Sequence, residues 1–144
     1  MNPADRMLIE WQLVSLSTRF AHFLDAGDFE SMIALFVDDG VFDRGGVALR
    51  GHAEIRKAMA ERPALTTRHL STNHYFAQVD DDTARAIVSV LVLHGPVPEN
   101  GEPVQYATER GRMVEFHDRY RRTTDGWRIV ERVARPIFQP KVWP

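Results

Sequence analysis

Apolar side chains recur at Leu8, Ile9, Leu13, Leu16, Phe20, Phe23 and Leu24, at spacings of three and four that wind one apolar stripe around a helix. The spacing predicts a helix over residues 5–25, stopped by Gly27, whose missing Cβ lets the chain turn left-handed. Asp28 is placed to cap a second helix over 29–36. Asp38-Asp39-Gly40 predicts a turn, and Val41-Phe42-Asp43 with Val47-Ala48-Leu49-Arg50 a short hairpin around Gly45-Gly46. Residues 52–61 are strong helix formers that stop before Pro63. After residue 66 the period falls to two: strands are predicted over 67–79, 83–94, 105–123 and 127–138. They are joined at Asp80-Asp81-Asp82, at residues 96–103 and at Asp125-Gly126, a strong hairpin signal. Helices first and long antiparallel strands afterwards define an α+β class, with helices covering one face of a curved sheet. Residues 87–93 are apolar on both faces of their strand, so the outer face of the sheet is expected to be covered as well, most simply by a second subunit.

The chain has 144 residues, of which 44% are hydrophobic and 26% charged. That is one domain, spanning 1–144, with room for a sizeable core. A net charge of −2, from 18 basic and 20 acidic residues mixed along the chain, argues against nucleic acid or an anionic membrane as partner and points to a small molecule. There are no cysteines, which excludes disulfides and thiolate chemistry and fits a reducing compartment; a cytoplasmic location is the expectation. Polar residues interrupt the first helix at Glu10, Gln12 and Arg19, so neither a signal peptide nor a membrane span is expected. Phe20, Phe36, Phe42, Trp127 and Phe138 are read as core, some of them lining a pocket.

Candidate chemistry lies in Asp25, His69 and His94, which belong to different elements but could face one cavity. A carboxylate and two imidazoles in an apolar cavity form proton-transfer machinery that needs no cofactor. Asp25 falls in the last helical turn, where a negative charge opposes the helix macrodipole, so helix stability does not explain it; a solvated turn acid is the alternative. His69 alternates with Ser71, Asn73 and Tyr75 on one strand face, whereas His74 falls on the other. A structural histidine is the competing reading. His94 shares a face with Val88, Val90 and Val92 at a strand end, where it could also be solvated. Phe42, Asn73, Val114, Phe116, Tyr120 and Arg135 are candidates to contact substrate, Arg135 through an anionic or carbonyl oxygen. No histidine pair has the short helical spacing of zinc ligands, and neither a phosphate loop nor a nucleophilic-serine turn is present. No metal site is expected.

The element order, the Asp25-Ala26-Gly27-Asp28-Phe29 junction, the Phe42-Asp43 hairpin strand and the Thr67-Arg68-His69 strand together resemble the nuclear transport factor 2-like superfamily, over nearly the whole chain. Within it the chain is most similar to the SnoaL-like branch of scytalone dehydratase, hexachlorocyclohexane dehydrochlorinase and the bile-acid dehydratases. The resemblance implies a cone-shaped, cystatin-like α+β barrel, with Asp25 supporting His69 as catalytic base and His94 as a second histidine. It also implies a homo-oligomer, trimer or dimer, working without metal. The tyrosines and the serine–asparagine pair that scytalone dehydratase uses fall here near Leu24, Arg44, Val114 and Phe116, which implies a more apolar pocket. The expected function is a cofactor-independent lyase or isomerase acting on a small hydrophobic, possibly cyclic molecule. The alternative is a non-catalytic binding or assembly module, like the small subunit of a ring-hydroxylating dioxygenase, which shares the fold.

Overall fold

The computed structural model describes residues 1–105 and 111–140. Helix α1 (Pro3–Ala26) opens with Asn2 accepting a hydrogen bond from the Asp5 backbone N–H and closes at Gly27, whose φ of 73° is left-handed. Its buried stripe is Ile9, Leu13, Leu16, Ser17, Phe20, Ala21 and Leu24; Leu8 and Trp11 face outward. Helix α2 (Phe29–Ile33) is capped by Asp28, as its position predicted. It ends three residues earlier than the pattern suggested, because Phe36 already belongs to a strand.

Strand β1 (Phe36–Arg44) runs straight through Asp38-Asp39-Gly40, so the predicted turn is instead an irregularity within the strand, where the register shifts between Phe36 and Val41. Gly40 is there because a Cβ would stand 2.9 Å from the Val37 carbonyl oxygen. β1 pairs with β2 (Ala48–Arg50) in the expected hairpin, and α3 (Gly51–Ala60) follows. The four long strands are β3 (Thr66–Val79), β4 (Thr83–Gly95), β5 (Arg112–Thr123) and β6 (Gly126–Phe138). β5 starts at Arg112 rather than near residue 105; residues 106–110 of the expected strand lie outside the described residues.

The six strands are ordered β2-β1-β6-β5-β4-β3, antiparallel except that β1 lies parallel to β6. The class is α+β and cystatin-like, with the helices packed on a curved sheet as expected; the two edge strands, β2 and β3, do not meet, so the sheet is unclosed. One core lies between the helices and the concave face, and Phe20 packs edge-on against Phe36, Phe42 and Phe116 in it, a geometry that aromatic quadrupoles favour. Phe138, read as core, is 67% exposed at the strand end. On the convex face, register places Leu70, Leu91, Met113 and Phe138 side by side, an apolar row across four strands. No helix among the described residues is long and apolar enough to cross a membrane.

Two of the register shifts reverse the facing of residues singled out in the sequence. In β3 the register shifts between Thr72 and Tyr75, and Asn73 takes a φ of 48°. An extra residue reverses the alternation beyond it. His74 and Phe76 therefore turn inward, while Tyr75 is 65% exposed. In β6, Tyr120 opposes Ile129 and Arg119 opposes Glu131, leaving Val130 between them. Beyond that point Arg132 and Ala134 face the core and Arg135 faces out.

Candidate active site

The last turn of α1 carries Asp25 to the inner face of β3 because the Gly27 cap ends the helix directly against that strand. The Asp25 carboxylate accepts hydrogen bonds from the His69 backbone N–H (2.8 Å), the Thr67 hydroxyl (2.9 Å) and the His69 ring nitrogen Nδ1 (2.6 Å). Burial by itself pushes the Asp25 carboxyl up. The hydrogen bonds and charge of His69, with help from Thr67, outweigh it and hold the group below the usual carboxylate range. An ionised carboxylate can only accept, so Nδ1 donates, and in the neutral form of the ring the lone pair is on the second nitrogen, Nε2. The His69 and Asp25 side chains are only 9% and 10% exposed, and His69 forms part of a cavity wall.

That cavity measures about 430 Å³, the size of a small-molecule site. Its buried interior is apolar: Phe42, Met59, Val92, Val114 and Phe116. Its rim is charged. Arg44 and Glu61 are exposed there, and Arg62 and Arg112 are half-buried. Arg62 also donates to the Thr67 hydroxyl at 3.3 Å and to the Leu24 carbonyl at 3.5 Å, which ties the rim to the Asp25 cluster.

Behind the inner wall lies a second polar cluster. Arg132 is fully buried and donates to Asp118 through Nε (2.9 Å) and Nη2 (2.7 Å), and to Ser17 (3.0 Å). Its guanidinium is sandwiched between the rings of Phe20 and Phe116, 4.3 and 4.4 Å from their centroids. Tyr120 donates its hydroxyl to Asp118; burial and that carboxylate push its phenol far up, so it stays protonated. His74 lies beside this cluster. Burial, and then the Arg132 charge, lower its pKa, and its Nε2 has no hydrogen-bond partner among the described residues.

Of the residues singled out in the sequence, the structure brings His69, Phe42, Val114 and Phe116 to one cavity, with Asp25 bonded to His69 outside the lining. His94 continues the face of Val92, opposite Thr67 in register, but does not line the cavity. Asn73 is exposed at its bulge. Tyr120 is locked in the buried cluster, and Arg135 is on the convex face opposite Glu115. Their displacement has one cause for Asn73 and Arg135, the bulges that reverse each strand's alternation. Sequence reasoning missed Thr67, Arg62, Arg112 and Arg132. Thr67 was accessible, two residues from His69 on one strand face; nothing local distinguished the arginines from solvated ones. Among the described residues no cluster of His, Asp and Glu is arranged to hold a metal ion.

The chain belongs to the SnoaL-like domain family, whose model matches residues 5–133. Among solved structures it is similar to Rv3472 from Mycobacterium tuberculosis, a protein of unknown function, at 26% identity and a TM-score of 0.74, over 94% of this chain and 76% of that one. A candidate scytalone dehydratase from Novosphingobium aromaticivorans superposes with a TM-score of 0.75 at 18% identity, over 98% and 99% of the two chains. The beta subunit of a candidate aromatic-ring-hydroxylating dioxygenase from the same organism does so with a TM-score of 0.70 at 15% identity, over 90% of each. The last two likenesses concern the fold alone. No curated protein matches the chain.

Proposed function

We propose that the chain is a cofactor-independent lyase, of dehydratase or dehydrohalogenase type, or an isomerase working with the same base. The single observation carrying this reading is the His69 imidazole on the wall of an open apolar cavity, with Nδ1 held at 2.6 Å by Asp25. That hydrogen bond leaves Nε2 as the base and stabilises the imidazolium formed when a carbon-bound proton is taken. In an elimination the C–H electron pair becomes the new double bond as halide or hydroxide departs, and the imidazolium can return its proton to a departing hydroxide, giving water. In an isomerisation the same proton goes back to a different carbon. His94 has no part in this scheme, because it stands outside the cavity lining.

An assembly-only role, suggested by the likeness to a dioxygenase beta subunit, is the weaker reading: it does not account for an open cavity with a paired imidazole on its wall. The apolar row on the convex face is best satisfied by a second copy of the chain. The test is carbon–proton exchange and elimination by wild type and His69→Ala against cyclic hydroxy-ketones and halocarbons. A loss of about 10²–10⁴-fold in the variant is expected; a variant as active as wild type would refute the role of His69.

A further inference from the structure

Three guanidinium groups surround the mouth of the cavity: Arg44 at the end of β1, Arg62 after α3 and Arg112 at the start of β5. Only one carboxylate, Glu61, joins them in the described lining. Asp25, just behind, is already engaged by Thr67 and His69. Like charges gathered at a half-buried rim repel one another. Arg62 shows the result: burial first, then the charge of Arg44, lowers its pKa against the opposing pull of Asp25. Arg112 is lowered by burial and then by Arg44. The Arg44 side chain has no hydrogen bond or ion pair among the described residues, although it stands over an apolar cavity. Arg44 and Arg62, converging on one opening above an apolar chamber, make a site suited to an anion, and the planar fork of arginine matches a carboxylate.

From this placement we infer that the substrate is an amphiphilic carboxylate, its apolar body filling the chamber of Phe42, Val92, Val114 and Phe116 and its carboxylate held at the mouth by Arg44 and Arg62, with Arg112 completing the positive rim. This substrate class rests on the reading of the cavity as the reaction site. The carboxylate is bound and not transformed. Holding it at the mouth fixes which carbon of the apolar body faces His69, and so serves as the positioning device in a chamber that otherwise offers only non-directional contacts.

2-Naphthoate and its neutral isostere 2-naphthamide serve as probes, with binding measured by calorimetry on wild type, Arg44→Gln, Arg62→Gln and His69→Ala. Wild type is expected to prefer naphthoate by about tenfold or more, the contribution of one or two charge-assisted hydrogen bonds, and the preference is expected to shrink as salt rises. Arg44→Gln, an exposed position whose side chain holds nothing else in place, should lose most of the preference while keeping its affinity for naphthamide. Arg62→Gln should do the same. Equal affinity of wild type for the two probes, or a preference unchanged in both arginine variants, overturns the inference. His69→Ala separates this result from the lyase reading: the carboxylate preference survives there if the arginines carry it, whether or not wild type turns over any substrate.

Discussion

Asp118→Asn exchanges one carboxylate oxygen for an amide NH2 and removes the carboxylate that pairs with the buried Arg132. In the native protein Asp118 accepts from Arg132 Nε at 2.9 Å and from Nη2 at 2.7 Å, and it also accepts the Tyr120 hydroxyl. An asparagine keeps one acceptor oxygen and presents an NH2 group where a second acceptor stood, so donor faces donor on one side. The guanidinium cannot escape to water, since it is fully buried between Phe20 and Phe116. Hydrogen bonds to a charged partner contribute about 1.5–3 kcal/mol each, and breaking a buried pair from one side costs about 3–5 kcal/mol. The expected destabilisation is about 4 kcal/mol, or a fall in Tm of about 12 °C for a domain of this size. Urea unfolding followed by circular dichroism, fitted with a shared m-value, measures it. The double variant Asp118→Leu with Arg132→Met removes both charges and should recover most of the loss. A loss under about 1 kcal/mol in Asp118→Asn, or a double variant no better than the single, would show that the pair does not hold the cavity's inner wall as argued. Because Phe116 lies on Arg132 and lines the cavity, the single variant should also bind apolar ligands more weakly.

Asp25→Asn should lower turnover by about 10²-fold or more, since an amide facing Nδ1 favours the tautomer that puts the proton on Nε2; steady-state rates on any substrate found check it. The Asp25 carboxyl is depressed in the folded state, so its contribution to stability is present above the unfolded carboxyl pKa and is lost as pH falls through the folded one. The acid limb of wild-type stability should therefore be steeper than that of Asp25→Asn in urea unfolding at stepped pH. His74 is also depressed. Between its folded pKa and the ordinary value of 6.5 only the unfolded chain takes up the proton, so stability is lost as pH drops through that window and regained as pH rises, and His74→Gln should flatten the slope. Leu91→Glu, at the centre of the convex apolar row, should convert the expected oligomer to monomer in light scattering; an unchanged mass would place the interface elsewhere.

The sequence by itself determined what depends on neighbours along the chain. The 3.6-residue stripe of α1, the Gly27 stop, the Asp28 cap, the hairpin at Gly45-Gly46 and the period-two strands are local preferences, and they stand where the pattern put them except at Leu8, which is exposed, and at the start of β5. Together with the SnoaL-like resemblance they were enough to bring Asp25 and His69 forward as a pair, because Asp25 opposes its own helix dipole and His69 is polar on a core strand. What only the tertiary structure decided is the facing of residues beyond each bulge. Alternation is reliable only until an extra residue is inserted, and whether a strand bulges is set by its pairing with the next strand and not by its own sequence. Asn73 thereby exchanged places with His74, and Arg132, not Arg135, became the inward arginine. The arginine rim was hidden for a related reason. Arg44, Arg62 and Arg112 are distant in the chain, each is unremarkable in its own segment, and only the curvature of the sheet gathers their charges around one opening.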